Sequence, residues 1–123
     1  MSKVLVIGDS CTDVFIYGKV DRLCPEAPVP VINPIDKKEN GGMARNVKSN
    51  LEALGVDADI ITNLDDIKKI RYVDDKSNQM VLRVDEHDWC DRIKLDDLYY
   101  IKEVIHKYDA VIISDYCLSL IHI

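Results

Sequence analysis

The 123-residue sequence contains no run of five or more basic residues, and its formal net charge is -6. A nucleic-acid partner is therefore not expected, because a phosphate backbone demands clustered Lys and Arg. An anionic small substrate would need cations placed locally instead. The four cysteines, Cys11, Cys24, Cys90 and Cys117, lie far apart with no CxxC pair, which excludes zinc-finger spacing and a dithiol redox motif. Reduced thiols and a cytoplasmic location are the expectation. No span approaches the ~20 apolar residues that cross a bilayer, so no membrane crossing is expected. The five glycines form neither GxGxxG nor a P-loop, which leaves a dinucleotide or Walker-type reading without its residues. His87, His106 and His122 have no ligand spacing. The acidic pairs Asp65-Asp66 and Asp74-Asp75 read as solvated turn residues, so no metal site is assigned.

What is present suits one compact domain over residues 1–123, since 47% hydrophobic and 31% charged residues can bury a modest core without a second domain or linker. Met1 and Ser2 lead straight into Lys3-Val4-Leu5-Val6-Ile7, too short for the apolar region of a secretory leader. Val4 to Ile7, Ala58 to Thr62 and Ala110 to Ser114 read as strands buried on both faces. Met43, Val47, Leu51 and Leu54 fall at helical spacing, with Gly55 as a stop. Leu95, Leu98, Ile101, Ile105 and Tyr108 repeat that pattern before the third strand. Strands alternating with amphipathic helices predict an α/β layered domain with a parallel sheet.

Two segments predict extra sheet outside that core. From Val20 to Ile35 the prolines Pro25, Pro28, Pro30 and Pro34 forbid helix and suit an edge strand. Lys69 to Val73 and Gln79 to Asp85, joined by Asp74 to Asn78, read as a hairpin. In its second run Met80, Leu82 and Val84 share one face while Gln79, Arg83 and Asp85 share the other. The expectation is that the Pro-rich segment and the Gln79 to Asp85 run pair in a small β flap over the substrate edge.

Two motifs are candidate binding sites. In Gly41-Gly42-Met43-Ala44-Arg45-Asn46 adjacent glycines admit close approach to the backbone, and the N–H groups of a helix start favour oxygen-rich or anionic groups. A tight loop-to-helix turn explains the same glycines without a ligand. Gly8-Asp9-Ser10-Cys11-Thr12-Asp13 follows the first strand, at the edge where open parallel sheets bind ligands. There Asp9 or Ser10 serves equally as a cap. Arg71 and Arg83 could clamp a phosphate bidentately, and Arg45 is a further candidate. Ion pairs with neighbours such as Asp85 are the competing account.

In this order the two motifs resemble the ribokinase-like (PfkB) carbohydrate kinases. Gly8 and Asp13 match the family's glycine and aspartate after the first strand. Gly41, Gly42, Ala44 and Asn46 match its Gly-Gly-x-small-x-Asn signature. Pro25-Glu26-Ala27-Pro28-Val29-Pro30 narrows the resemblance to the kinase domain of bacterial heptose 7-phosphate kinase/ADP-heptose synthase proteins. Arg71 with Gln79, Leu82, Arg83 and Asp85 resembles the same subfamily's lid, and Ser114-Asp115-Tyr116 resembles its Ser-Asp-Tyr turn. The resemblance implies a three-layer α/β/α fold with a β lid over segments 20–35 and 69–85, with Asp13, Gly41, Gly42, Asn46, Arg71 and Arg83 at the sugar or sugar phosphate. It also implies ATP and Mg²⁺ as cofactors and a lid-mediated homodimer.

Departures from the family pattern carry their own expectations. Lys48 replaces a small residue. Only Asn63 to Lys68 separates the second core strand from the flap, where the family inserts a further β-α unit. Cys117-Leu118-Ser119 replaces the Lys-Gly that follows the turn, and the Gly-Ala-Gly-Asp motif with its base and anion hole has no counterpart. The apolar ending Cys117 to Ile123 suits no family element, which suggests a truncated reading frame. Asp115 ends a core strand and is the one candidate near a phosphate. The expectation is an amino-terminal sugar-binding part without catalytic turnover; the alternative is a non-catalytic sugar-binding or dimerising module.

Overall fold

The computed structural model describes residues 2–121 and contains two sheets. Strands β1 (Lys3–Gly8), β4 (Asp57–Ile61) and β7 (Ala110–Ser114) form a parallel sheet in the order β4-β1-β7. Central β1 pairs Val4 with both Ala58 and Ala110, and its Val4, Leu5 and Val6 are buried. Helix α1 (Ala44–Ala53) packs against β1 and β4, and Gly55 ends its last turn at φ 81°. The α/β class, the parallel core and a β lid separate from it agree with the sequence reading.

The second sheet, in the order β3-β2-β5-β6, is larger than the sequence suggests. Strands β2 (Ser10–Leu23) and β3 (Pro30–Met43) make one long hairpin, and β5 (Lys68–Asp74) and β6 (Met80–Glu86) make a second. The prolines sit at the tip and on the edge strand of the first hairpin, where a missing N–H removes no ladder bond. The Pro-rich segment and the Gln79 to Asp85 run thus share a sheet but do not pair; they belong to opposite edges, held apart by β2 and β5. Both glycine motifs are also more regular than a loop reading allows. Cys11, Thr12 and Asp13 are strand residues, paired with Gly42, Gly41 and Asn40. A register shift breaks the alternation expected in β6. Leu82 lies opposite Tyr72 but Met80 lies opposite Val73, so Val81, not Met80, joins Leu82 and Val84 along the apolar face.

Burial on both faces holds for β1 but not for β7, whose Val111 and Ile113 are exposed, Ile113 at 63%. Helix α2 (Leu95–Val104) has no buried residue, so its apolar face does not close on the sheet. Leu95, Leu98 and Ile101 instead face Ile7, Ile113 and Leu120 across an open cavity of about 580 Å³. Leu54, expected on the inner face of α1, is exposed as well. The best-formed core outside β1 lies at the root of the lid, where Cys11, Met43, Ile67, Cys90 and Leu120 pack together. Backbone bonds from Cys90 N–H to Leu118 O and Ile93 N–H to Leu120 O tie the segment after β7 into it. His122 and Ile123 lie outside the described residues.

Candidate functional site

The lid and the start of α1 meet around an open cleft of about 370 Å³ lined by Asp13, Asn46, Arg71 and Arg83 together with Cys11, Met43, Lys69 and Tyr116. Strand periodicity assembles its cationic wall. Asp13 pairs with Lys69 on β5, and Lys69 and Arg71 pair in turn with Asp85 and Arg83 on β6, which puts all five on one face of the sheet. The Arg71 guanidinium donates to Asp13 Oδ1 at 2.8 Å and lies 5.1 Å from the Phe15 ring centre. Arg83 makes a two-point contact with Asp85, Nε to Oδ1 at 2.7 Å and Nη2 to Oδ2 at 2.9 Å. That contact holds the Asp85 carboxyl below its usual range. Lys69 Nζ stands 3.6 Å from Asp85 and 3.3 Å from Asp88. The ion-pair account of both arginines is therefore realised in the geometry. These charge-assisted contacts, half-buried at Arg71 and exposed at Arg83, also fix three cations beside one opening, where an anionic ligand can compete for them.

The opposite wall is the Gly-Gly turn. A Cβ on Gly42 would collide with the Asp13 carboxylate and the Cys11 sulfur, and one on Gly41 would press on Arg45. The room the glycines leave is thus filled by the protein's own side chains, which lets β2 and β3 approach with Asp13 between them. Met43, the residue before α1, has φ 58° and ψ -124°. A buried methionine there is strained by about 1–3 kcal/mol, as is common where surrounding structure dictates a site's shape. Cys11 stays a thiol near neutral pH, because burial and then the Asp13 charge push it up to about 11.

Three expected residues take other roles. Asp9 is fully buried and does not line the cleft; its carboxylate accepts the Tyr116 N–H at 2.8 Å and the Leu118 N–H at 3.0 Å, the capping role. Asp115 does not line the cleft, and its carboxylate accepts the Cys117 N–H at 2.9 Å. Arg45 turns toward Thr12 Oγ1, 3.5 Å away, outside the cleft. Sequence reasoning missed Lys69 and Tyr116. Lys69 was accessible, standing two residues before Arg71 on the same strand face; Tyr116 reaches the cleft only through the fold. Among the described residues no three His, Cys, Asp or Glu side chains gather as a metal ion requires. No described helix is long and apolar enough to cross a membrane.

The chain thus sets a parallel α/β core beside a β lid with a polar cleft between the lid and the start of α1. No protein-family model matches the chain. The curated relatives are bifunctional HldE proteins, and the chain is related to them by sequence. It is 36% identical to HldE of Helicobacter pylori (strain J99) and 34% identical to HldE of Helicobacter acinonychis, each match covering 94% of this chain and 32% of the relative. The chain thus spans about a third of the length of the curated relatives it matches. Each match extends over 147 positions, more than the 123 residues this chain contains, so the relatives hold residues within the matched stretch that this chain lacks. Among solved structures, a carbohydrate kinase from Agrobacterium tumefaciens gives a TM-score of 0.47 at 14% identity, covering 92% of this chain and 45% of that one.

Proposed function

We propose that the chain is the amino-terminal, acceptor-binding part of a carbohydrate kinase domain, and that its cleft takes a sugar phosphate of the heptose 7-phosphate kind used in ADP-heptose biosynthesis. The observation that carries this reading is the convergence of Asp13 and Asn46, from distant parts of the chain, with Lys69, Arg71 and Arg83 around one opening. Asp13 accepts hydrogen bonds from sugar hydroxyls, the Asn46 amide donates and accepts on the same molecule, and the three cations hold the phosphate. Gly41 and Gly42 keep the β2–β3 approach tight enough to aim Asp13.

In a complete enzyme ATP with Mg²⁺ supplies the phosphoryl group. This chain contributes acceptor orientation alone, because the transfer draws its rate from a base and an anion hole that no described residue provides. The expected result with radiolabelled ATP, heptose 7-phosphate and several hexoses is no transfer above background. Saturable binding of heptose 7-phosphate is expected, and Asp13→Asn should abolish it. Turnover that Asp115→Asn removes would refute the reading and make the chain a minimal kinase.

The alternative, a dimerising module, draws on the lid's other face. There Val29, Pro30, Ile32, Tyr72, Leu82 and Val84 line an open apolar hollow of about 450 Å³. A homodimer through this face is compatible with sugar binding on the opposite one. A cytoplasmic location is proposed on the four unpaired thiols.

A further inference from the structure

We infer that Asp9 is a positioning residue of the cleft, a single buried carboxylate that sets the start of α1, which carries Asn46, against the turn after β7, which carries Tyr116; the inference rests on the sugar-phosphate reading above. Asp9 joins β1 to β2 and is 0% exposed. Its main chain holds the Asn46 side, since Asp9 O accepts the N–H of Ala44 at 3.0 Å. Ala44 is the first residue of α1, two before Asn46. Its side chain holds the turn after β7, because Oδ1 takes the Tyr116 N–H and Oδ2 takes the Leu118 N–H. Tyr116, like Asn46, is among the residues that line the cleft.

Two further observations separate this from ordinary capping. A fully buried carboxylate is costly to desolvate, and packing alone would favour a neutral side chain at this position. The turn it holds is strained: Cys117 has φ 60° and Ser119 has φ 84°, a region that favours glycine. Such a turn persists only when its surroundings dictate it, and charge-assisted bonds to both sides of Cys117 do so. Asn46 and Tyr116, 70 residues apart in sequence, thereby share one anchor.

The test uses the isotope-labelled 123-residue chain, with amide hydrogen exchange and with titrations of heptose 7-phosphate and of inorganic phosphate. In the unaltered chain the Tyr116 and Leu118 amides should exchange at least about tenfold more slowly than that of Ser119. Free exchange at both would overturn the inference without any variant. In Asp9→Asn the side chain keeps its size but turns an NH₂ toward one of the two N–H donors. Slowed exchange should be lost there, and heptose 7-phosphate affinity should fall about tenfold while inorganic phosphate, held by Lys69, Arg71 and Arg83, binds unchanged. A folded Asp9→Asn variant with full heptose 7-phosphate affinity refutes the inference. Should that variant not fold, heptose 7-phosphate added to the unaltered chain must slow the Asn46 and Tyr116 amides together, and a response at one of them alone refutes it. If the unaltered chain binds no heptose 7-phosphate, the sugar-phosphate reading fails, and the exchange of Tyr116 and Leu118 still decides whether Asp9 holds the turn.

Discussion

Replacing Gly42 by alanine probes the junction on which the cleft depends. The added methyl would overlap the Asp13 carboxylate and lie 2.6 Å from the Cys11 sulfur and 2.9 Å from Asp13 Cγ. Neither neighbour can yield freely. Cys11 is packed in the cluster at the lid root, and Asp13 is held by Arg71 at 2.8 Å. Forcing a methyl into such a site costs about 1–3 kcal/mol. Displacing Asp13 also leaves Arg71 half-buried without its carboxylate. Urea unfolding should therefore show Gly42→Ala destabilised by about 2 kcal/mol, with sugar-phosphate binding lost. In an Asp13→Ala background one of the two obstructing side chains is gone, so the same substitution should cost at least about 0.5 kcal/mol less. Gly55→Ala is a useful contrast: nothing lies within 4 Å of its added methyl, and the φ of 81° alone should cost about 1 kcal/mol with binding intact. A Gly42→Ala cost that does not change in the Asp13→Ala background would refute the packing argument.

Three further outcomes follow. Burial raises the Cys11 and Cys90 thiols from 9.0 to about 11, with the charges of Asp13 and Asp9 respectively adding to it. The unfolded chain therefore loses these protons first, so stability is unaffected by them below pH 9 and falls as pH rises from 9 to about 11; the urea midpoint should follow, less steeply in Cys90→Ala. Leu82→Asp, on the apolar lid face, should convert any dimer seen by sedimentation to monomer while leaving heptose 7-phosphate affinity within about twofold, since Leu82 and the cleft lie on opposite faces. Gly8→Ala should be more damaging than Gly42→Ala, because its methyl would overlap the Ser114 carbonyl where β1 and β7 pair, and a circular-dichroism melt lowered by less than that of Gly42→Ala would contradict this.

The sequence alone determined most of the local structure. The apolar runs gave β1, β4 and β7 nearly residue for residue, Gly55 marked the end of α1, and alternation around Asp74 to Asn78 gave the second hairpin, because strand and helix periods are properties of adjacent residues. The motif resemblance also picks out Asp13, Asn46, Arg71 and Arg83, all of which line the cleft. Tertiary structure decided the rest. Whether α2 and β7 are covered depends on what packs against them, and an amphipathic pattern reads the same on a covered face and an exposed one. The long β2–β3 hairpin was hidden because Gly, Pro and Lys-rich stretches carry little strand signal until a partner strand supplies the hydrogen bonds. Asp9, equally fit for capping or binding in sequence, became a buried anchor only because β1, the start of α1 and the turn after β7 converge on it. A side chain's chemistry is fixed by its own residue, but its partners come from segments far along the chain, and only the fold brings them within reach.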